Sequence, residues 1–164
     1  MIGSASPAVA FDLNDDSAGG FTQLGLVRIL IVDDFAPWRR AVRSNLAKDE
    51  DLEVVGEASD GLEAVQKSEE LQPDLVLLDI QLPTMNGLDA ARLIHKVSPA
   101  TKILFLSSYH GLEIMQEALR VGAGFVVKAD ASRDLLPIIK AIVRNEPFVR
   151  FRFLLDTPSD AGEM

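Results

Sequence analysis

Short apolar runs alternate with longer amphipathic stretches from residue 27 to about residue 145. "VRILIV" (Val27 to Val32) is apolar and β-branched, which predicts a buried strand. "APWRRAVRSNLAKDE" follows, with Trp38, Val42 and Leu46 at the spacing of one helix face. "LEVVGEAS" (Leu52 to Ser59) predicts a second strand. "DGLEAVQKSEELQ" predicts a helix with Asp60 as N-cap and an apolar stripe of Leu62, Val65 and Leu71. "DLVLLD" (Asp74 to Asp79), "TKILFLS" (Thr101 to Ser107) and "GFVVK" (Gly124 to Lys128) predict three more strands. "GLDAARLIHKV" and "GLEIMQEALRVG" between them read as helices, the latter stopped by Gly122. "SRDLLPIIKAIVRN" reads as the last helix, with Pro137 expected to kink it or delay its start.

Each of these five strands precedes a helix. Strands buried on both faces, alternating with amphipathic helices, imply an α/β fold with a five-stranded parallel sheet covered on both sides. Residues 1–25 are rich in Gly, Ala, Ser and Asp without a sustained period, and read as a disordered tail. Residues 26–146 read as the folded domain, and 147–164 as a C-terminal tail, either a linker remnant or a docking segment.

Composition narrows the function classes. Hydrophobic residues make up 48% of the 164, enough for a core, and 25 acidic against 16 basic residues give a formal net charge of −9. That excess argues against nonspecific nucleic-acid binding, which needs Lys and Arg to neutralise phosphates. The absence of cysteine excludes a disulfide framework, a thiol nucleophile and a thiolate metal site. His95 and His110 are too few for most zinc sites. No membrane-length apolar run and no signal-peptide pattern is present, so a cytoplasmic protein without membrane contact is the expectation.

In parallel sheets with crossover helices, sites lie beyond the carboxyl ends of the strands. The first strand ends at Asp33 and Asp34, the third at Asp79, the fourth at Ser107 and the fifth at Lys128. Taken singly, each has a plain explanation: an acid capping the next helix, a loop serine, a solvated lysine. Together they place three carboxylates, a hydroxyl and an ammonium on one sheet edge. Adjacent carboxylates repel one another and need a counter-charge. A hard oxygen site of this kind suits Mg2+ or Mn2+ shared with a phosphate. Asp79 is then placed as an anionic nucleophile toward phosphorus, with Ser107 and Lys128 beside the phosphoryl oxygens.

These same residues carry a family resemblance. "ILIVDDFAPWRR", "PDLVLLDIQLPTMNGLDAARLI", "ILFLSS" and "GAGFVVKADASRDLLPII" resemble the receiver domain of two-component response regulators, from about Val27 to Asn145. "LSS" and "GAGFVVKAD" are most similar to the NarL/FixJ type, whose receivers usually precede a helix-turn-helix domain. The resemblance implies a (βα)5 flavodoxin-like receiver fold. It implies that Asp79 accepts a phosphoryl group from a histidine kinase or histidine phosphotransfer protein. It also implies that Asp34 and Asp79 ligate Mg2+ directly, with the Gln81 backbone carbonyl, while Asp33 acts largely through water. Ser107 takes the position of the switch hydroxyl, Phe125 that of the switch aromatic, and Lys128 that of the phosphate-pairing lysine. Pro83 and Gly87 shape the loop after Asp79, Gly87 as a residue suited to positive φ. Three positions depart from the common pattern: Ser108 where alanine is frequent, then Tyr109, and Phe125 where tyrosine is frequent.

After Asn145 there are 19 residues, too few for a helix-turn-helix, so direct DNA binding is not expected. Phe148, Phe151 and Phe153 interleave with Arg150 and Arg152 there, a pattern open to docking, dimerisation or a truncated remnant. The leading expectation is a stand-alone phosphorylatable receiver. It is not an enzyme toward other substrates and catalyses only its own phosphoryl transfer and hydrolysis. Its signal passes to an unidentified downstream protein through the face of the fourth helix, fifth strand and fifth helix, including Leu112, Met115 and Phe125; homodimerisation stays open. Two alternatives stand beside it. One is a receiver-like interaction module that works without phosphorylation. The other is a metal-dependent phosphatase with a covalent aspartate, for which Gln81 stands where an acid is usual.

Overall fold

Successive strand side chains point to opposite faces, so a strand buried on both sides must feed two cores. The computed structural model describes residues 25–109 and 111–146, and shows this division throughout. The expectations for residues 1–24, for His110 and for 147–164, with their Phe and Arg pattern, lie outside the described residues. In chain order the elements are β1 (Val27–Val32), α1 (Ala36–Leu46), β2 (Leu52–Ala58), α2 (Gly61–Leu71) and β3 (Leu75–Asp79). There follow α3 (Gly87–Val97), β4 (Lys102–Ser107), α4 (Leu112–Val121), β5 (Gly124–Val127), a 3-10 turn (Lys128–Asp130) and α5 (Ala131–Val143). The strands form one parallel sheet in the order β2-β1-β3-β4-β5.

Ile29, Ile31, Leu75, Leu77, Leu104 and Val126 face α1 and α5, whose Val42, Leu46, Leu135, Ile139 and Ile142 close the first core. Leu30, Val32, Val76, Leu78, Ile103 and Phe105 face α2, α3 and α4, with Ala64, Ala91, Ile94, Met115 and Leu119. The chain order reverses direction in the sheet beside β1 and β3, so the crevice at their carboxyl ends is the place for a site. Asp60 caps α2 by accepting from the Glu63 N–H at 2.8 Å, and Asn86 caps α3 by accepting from the Asp89 N–H at 2.9 Å.

Several expectations need correcting. Leu62 is 45% exposed; α2 instead buries Gly61, Ala64 and Ser68, with Val65 and Leu71 partly covered. Small residues on that stripe let the helix lie close, and Leu62 falls outside it. The edge strand β2 is only partly buried over most of its length, because one side of the sheet ends there. Pro137 neither delays nor ends α5, which runs through it from Ala131. An interior proline costs about 3 kcal/mol, and burying Leu135, Ile138, Ile139 and Ile142 at about 1.5–3 kcal/mol each outweighs it. Gly87 does not have positive φ; the left-handed residue of that loop is Thr84, at φ 70°.

The reason for glycine at 87 is space. It opens α3 directly against the end of β3, donating its N–H to the Ile80 carbonyl at 2.8 Å. A Cβ there would stand 2.1 Å from the Asp79 carbonyl oxygen, which is backbone and cannot give way cheaply. Gly87→Ala is therefore expected to destabilise the fold by about 2 to 4 kcal/mol, read as a lower urea midpoint at unchanged slope. A loss under about 0.5 kcal/mol would mean the turn relaxes without moving Asp79.

Candidate functional site

The carboxyl end of β1 leads into Asp33 and Asp34, and that of β3 is Asp79 itself. Carboxylate oxygens of Asp33, Asp34 and Asp79 lie within 4.8 Å of one another. Asp33 and Asp79 are buried, Asp79 at 4% exposure, while Asp34 faces solvent. Lys128 follows β5 and reaches across the sheet edge. Its Nζ donates to Asp33 Oδ2 at 2.5 Å and to Asp79 Oδ2 at 3.1 Å. One ammonium is thus shared by two buried carboxylates and leaves a net negative charge between them.

The backbone fixes these side chains further. The Phe35 N–H donates to Asp33 Oδ1 at 2.9 Å, and the Gln81 N–H to Asp79 Oδ1 at 3.2 Å. The Arg39 guanidinium, one turn into α1, donates to the Asp33 carbonyl at 2.5 Å and to Glu57 Oε1 at 2.7 Å. Hydrogen bonding from Arg39, helped by Arg43, holds the Glu57 carboxyl below its ordinary range against some burial. This ties β2 to the loop that presents the acidic pair.

Burial pushes the Asp79 carboxyl up to about 6; the Lys128 charge pulls against this and the Asp33 charge adds to it. Burial works to lower the Lys128 ammonium, but its hydrogen bond to Asp33 and the charges of Asp79 and Asp33 leave it raised. At neutral pH the site therefore holds an ionised Asp79 under strain and a firmly protonated Lys128. The donor chemistry fits a hard divalent cation: three carboxylates close enough to share it, on an open cleft.

Asp33, Asp34, Asp79, Gln81 and Lys128, expected at the site, line one cleft together with Phe35, Ser108 and Tyr109. Ser107 does not line it. Its hydroxyl is buried, donating to Gln81 Oε1 at 3.0 Å and accepting from the Tyr109 N–H at 3.0 Å. Phe125, at 1% exposure, and Met115 are core residues beneath the site rather than parts of an outer face; Leu112, at 54%, is exposed as expected. Both correct the expected face: Phe125 lies on the sheet side that α4 covers, and Met115 is on the stripe of α4 that covers it.

Sequence reasoning missed three participants: Arg39, the Gln81 side chain and Trp38. Trp38 counted only as a helix-face residue, yet its ring centre lies 5.2 Å from Lys128 Nζ. Its Nε1–H is buried and has no hydrogen-bond partner among the described residues. The available signal was position: Trp38 and Arg39 open the helix directly after the acidic pair, so they pack back against the strand end.

Comparison with known proteins gives the family. The chain belongs to the response regulator receiver domain family, whose model matches residues 29–140, and is a receiver of the kind two-component phosphorelay systems use. It is 42% identical over 118 residues to the chemotaxis protein CheY of Listeria monocytogenes, covering 71% of this chain and 98% of that one. It is 39% identical over 141 residues to a protein-glutamate methylesterase/protein-glutamine glutaminase of Thermotoga maritima, covering 81% of this chain and 41% of that one. Across the first such methylesterase relatives the chain spans only 34–41% of their length. Among solved structures, the response regulator domain of Thermotoga maritima CheB superposes with TM-score 0.65 at 35% identity, covering 76% of this chain and 98% of that one. Among the described residues no helix is long and apolar enough to cross a membrane.

A carboxyl whose pKa is raised in the fold binds its proton more tightly folded than unfolded, so stability falls as pH rises from 3.8 to about 6. Asp79→Asn removes that penalty. In the metal-free protein it is expected to stabilise by about 1 to 2 kcal/mol at pH 8, after allowance for solvent screening. Its gain should vanish near pH 3.5, as measured by urea unfolding of both proteins at each pH. A gain that does not depend on pH would show that packing, not charge, sets it.

Proposed function

We propose that Asp79 takes a phosphoryl group from a histidine kinase or histidine phosphotransfer protein, and that the chain signals through altered protein contacts in the cytoplasm. The observation that carries this reading is the Asp79 carboxylate: it is buried, raised to about 6, and held at one Oδ by the Gln81 N–H and at the other by Lys128. A carboxylate so confined is ionised at neutral pH yet poorly solvated, which favours attack on an electrophile. We take residues 26–146 as the unit that performs it.

Asp33, Asp34, Asp79 and the Gln81 carbonyl would hold Mg2+ or Mn2+, with Asp33 acting largely through water. When bound, the cation would supply positive charge for the phosphoryl oxygens. The chain's own groups do the rest. Asp79 forms the new oxygen–phosphorus bond as the donor's nitrogen–phosphorus bond breaks, and the nitrogen keeps the electron pair. The Lys128 ammonium, already paired with Asp33 and Asp79, has only a short distance to move to a phosphoryl oxygen. Ser107 would leave Gln81 and donate to the phosphoryl group, and Phe125 would follow it by repacking, since it carries no hydroxyl.

The competing reading, an interaction module that is never phosphorylated, loses weight because acids, hydroxyl and lysine are all present and the acids and lysine share one cleft. The relatives' methylesterase activity belongs to those longer proteins.

Incubation with Mg2+ and acetyl phosphate is expected to add one phosphoryl mass to the intact protein. The adduct should be absent in Asp79→Asn and in chelator, and formed at least about tenfold more slowly in Lys128→Ala. A wild-type protein that stays unmodified, and whose spectra beryllofluoride leaves unchanged, would favour the interaction module.

A further inference from the structure

Trp38 is the chain's one tryptophan and sits in the first turn of α1. Its ring faces an ammonium that also holds Asp33 and Asp79. Its N–H is buried and has no partner among the described residues. A leucine or phenylalanine would supply apolar contact there without stranding a donor. What the indole has over either is the strongest attraction for a cation among aromatic faces. Core filling alone therefore explains the position poorly, and Lys128 explains it well.

We propose that Trp38 is a positioning residue for Lys128, its indole face holding the ammonium over the acidic cleft while the carboxylate partners of that ammonium change. This rests on the phosphoacceptor reading above. When Asp79 becomes an acyl phosphate, one of its oxygens turns from a charged acceptor into an ester oxygen. Lys128 must then exchange a carboxylate for a phosphoryl oxygen, with the Asp33 charge still drawing it sideways. The indole neither titrates nor reacts, so its contact persists through the exchange. It confines a long flexible side chain to the arc that matters. Trp38 also borders an apolar groove between α1 and α5, beside Val42, Ala131 and Leu135. The ring is thus no sealed core element, and smaller residues there are compatible with folding.

The test uses Trp38→Leu and Trp38→Phe, each alone and with Lys128→Gln, in the full chain. Labelling of Asp79 by acetyl phosphate with Mg2+ is followed by intact mass. Separately, indole emission of wild type and Lys128→Gln is compared before any phosphodonor is added. Trp38→Leu is expected to label about five- to tenfold more slowly, and Trp38→Phe to recover most of the rate. Trp38→Leu should add nothing to the loss seen in Lys128→Gln, and Lys128→Gln should change the emission intensity. Wild-type labelling by Trp38→Leu, or a loss that adds in full to that of Lys128→Gln, would overturn the proposal. If wild type itself takes no label, the phosphoacceptor reading fails instead. Emission then decides the contact: unchanged intensity in Lys128→Gln rejects it, and altered intensity supports it.

Discussion

One ammonium bridging two buried carboxylates is the constraint around which this sheet edge is arranged. Asp33 and Asp79 come from adjacent strands, β1 and β3, so their repulsion is built into the strand order. Each has lost most of its hydration. An unpaired buried charge is among the most destabilising features a fold can carry. Lys128 offsets part of this charge from a distance: the strand it follows, β5, is separated from β3 by β4, and only a long stem can reach both acids. An arginine would bring a rigid fork suited to a fixed bidentate pair, whereas lysine offers a compact charge that can change partners.

The two apolar layers make this arrangement affordable. Alternate residues of β1 and β3 are locked between α1 and α5 on one side and α2, α3 and α4 on the other. The strand ends cannot splay to let the acids separate or hydrate. Gly87 tightens the same point, since α3 starts in contact with the Asp79 carbonyl. The raised Asp79 carboxyl is the signature: the fold stores unfavourable charge that a divalent cation would relieve.

The legible parts of the chain were those with a local cause. Strands such as Leu75–Asp79 are apolar runs bounded by polar residues, and β-α alternation leaves few topologies. Asp33, Asp34, Asp79 and Lys128 were legible because topology alone carries the last residue of each strand to one edge. Directions that depend on a neighbour from elsewhere in the chain were not. Ser107 points to Gln81, and Trp38 meets Lys128, through contacts no local pattern encodes. Met115 and Phe125 were placed on an outer face by resemblance, but burial follows which side of the sheet a helix covers. Pro137 shows the same limit, its local penalty outweighed by four apolar side chains that only the packed helix brings to the core.

Ser107 links the resting geometry to the proposed signal. Its hydroxyl is already engaged, giving its proton to a neutral amide oxygen of Gln81 and accepting the Tyr109 N–H. A neutral hydrogen bond of this kind is worth about 1 kcal/mol net. A phosphoryl oxygen is a charged acceptor, and charged hydrogen bonds are roughly twice as strong. Exchanging Gln81 for a phosphoryl group is therefore favourable but modest, and both states stay within reach of thermal energy. Gln81 would be released at the cleft, and the end of β4, whose Phe105 pairs with Phe125 of β5, would be free to shift. A ligand or modification shifts such an equilibrium only by its differential interaction with the two states. Here that difference is one hydrogen-bond exchange plus whatever apolar repacking follows. A partner that binds only the repacked surface would supply the remainder of the bias, which places the sharpness of the signal in the complex rather than in the chain alone.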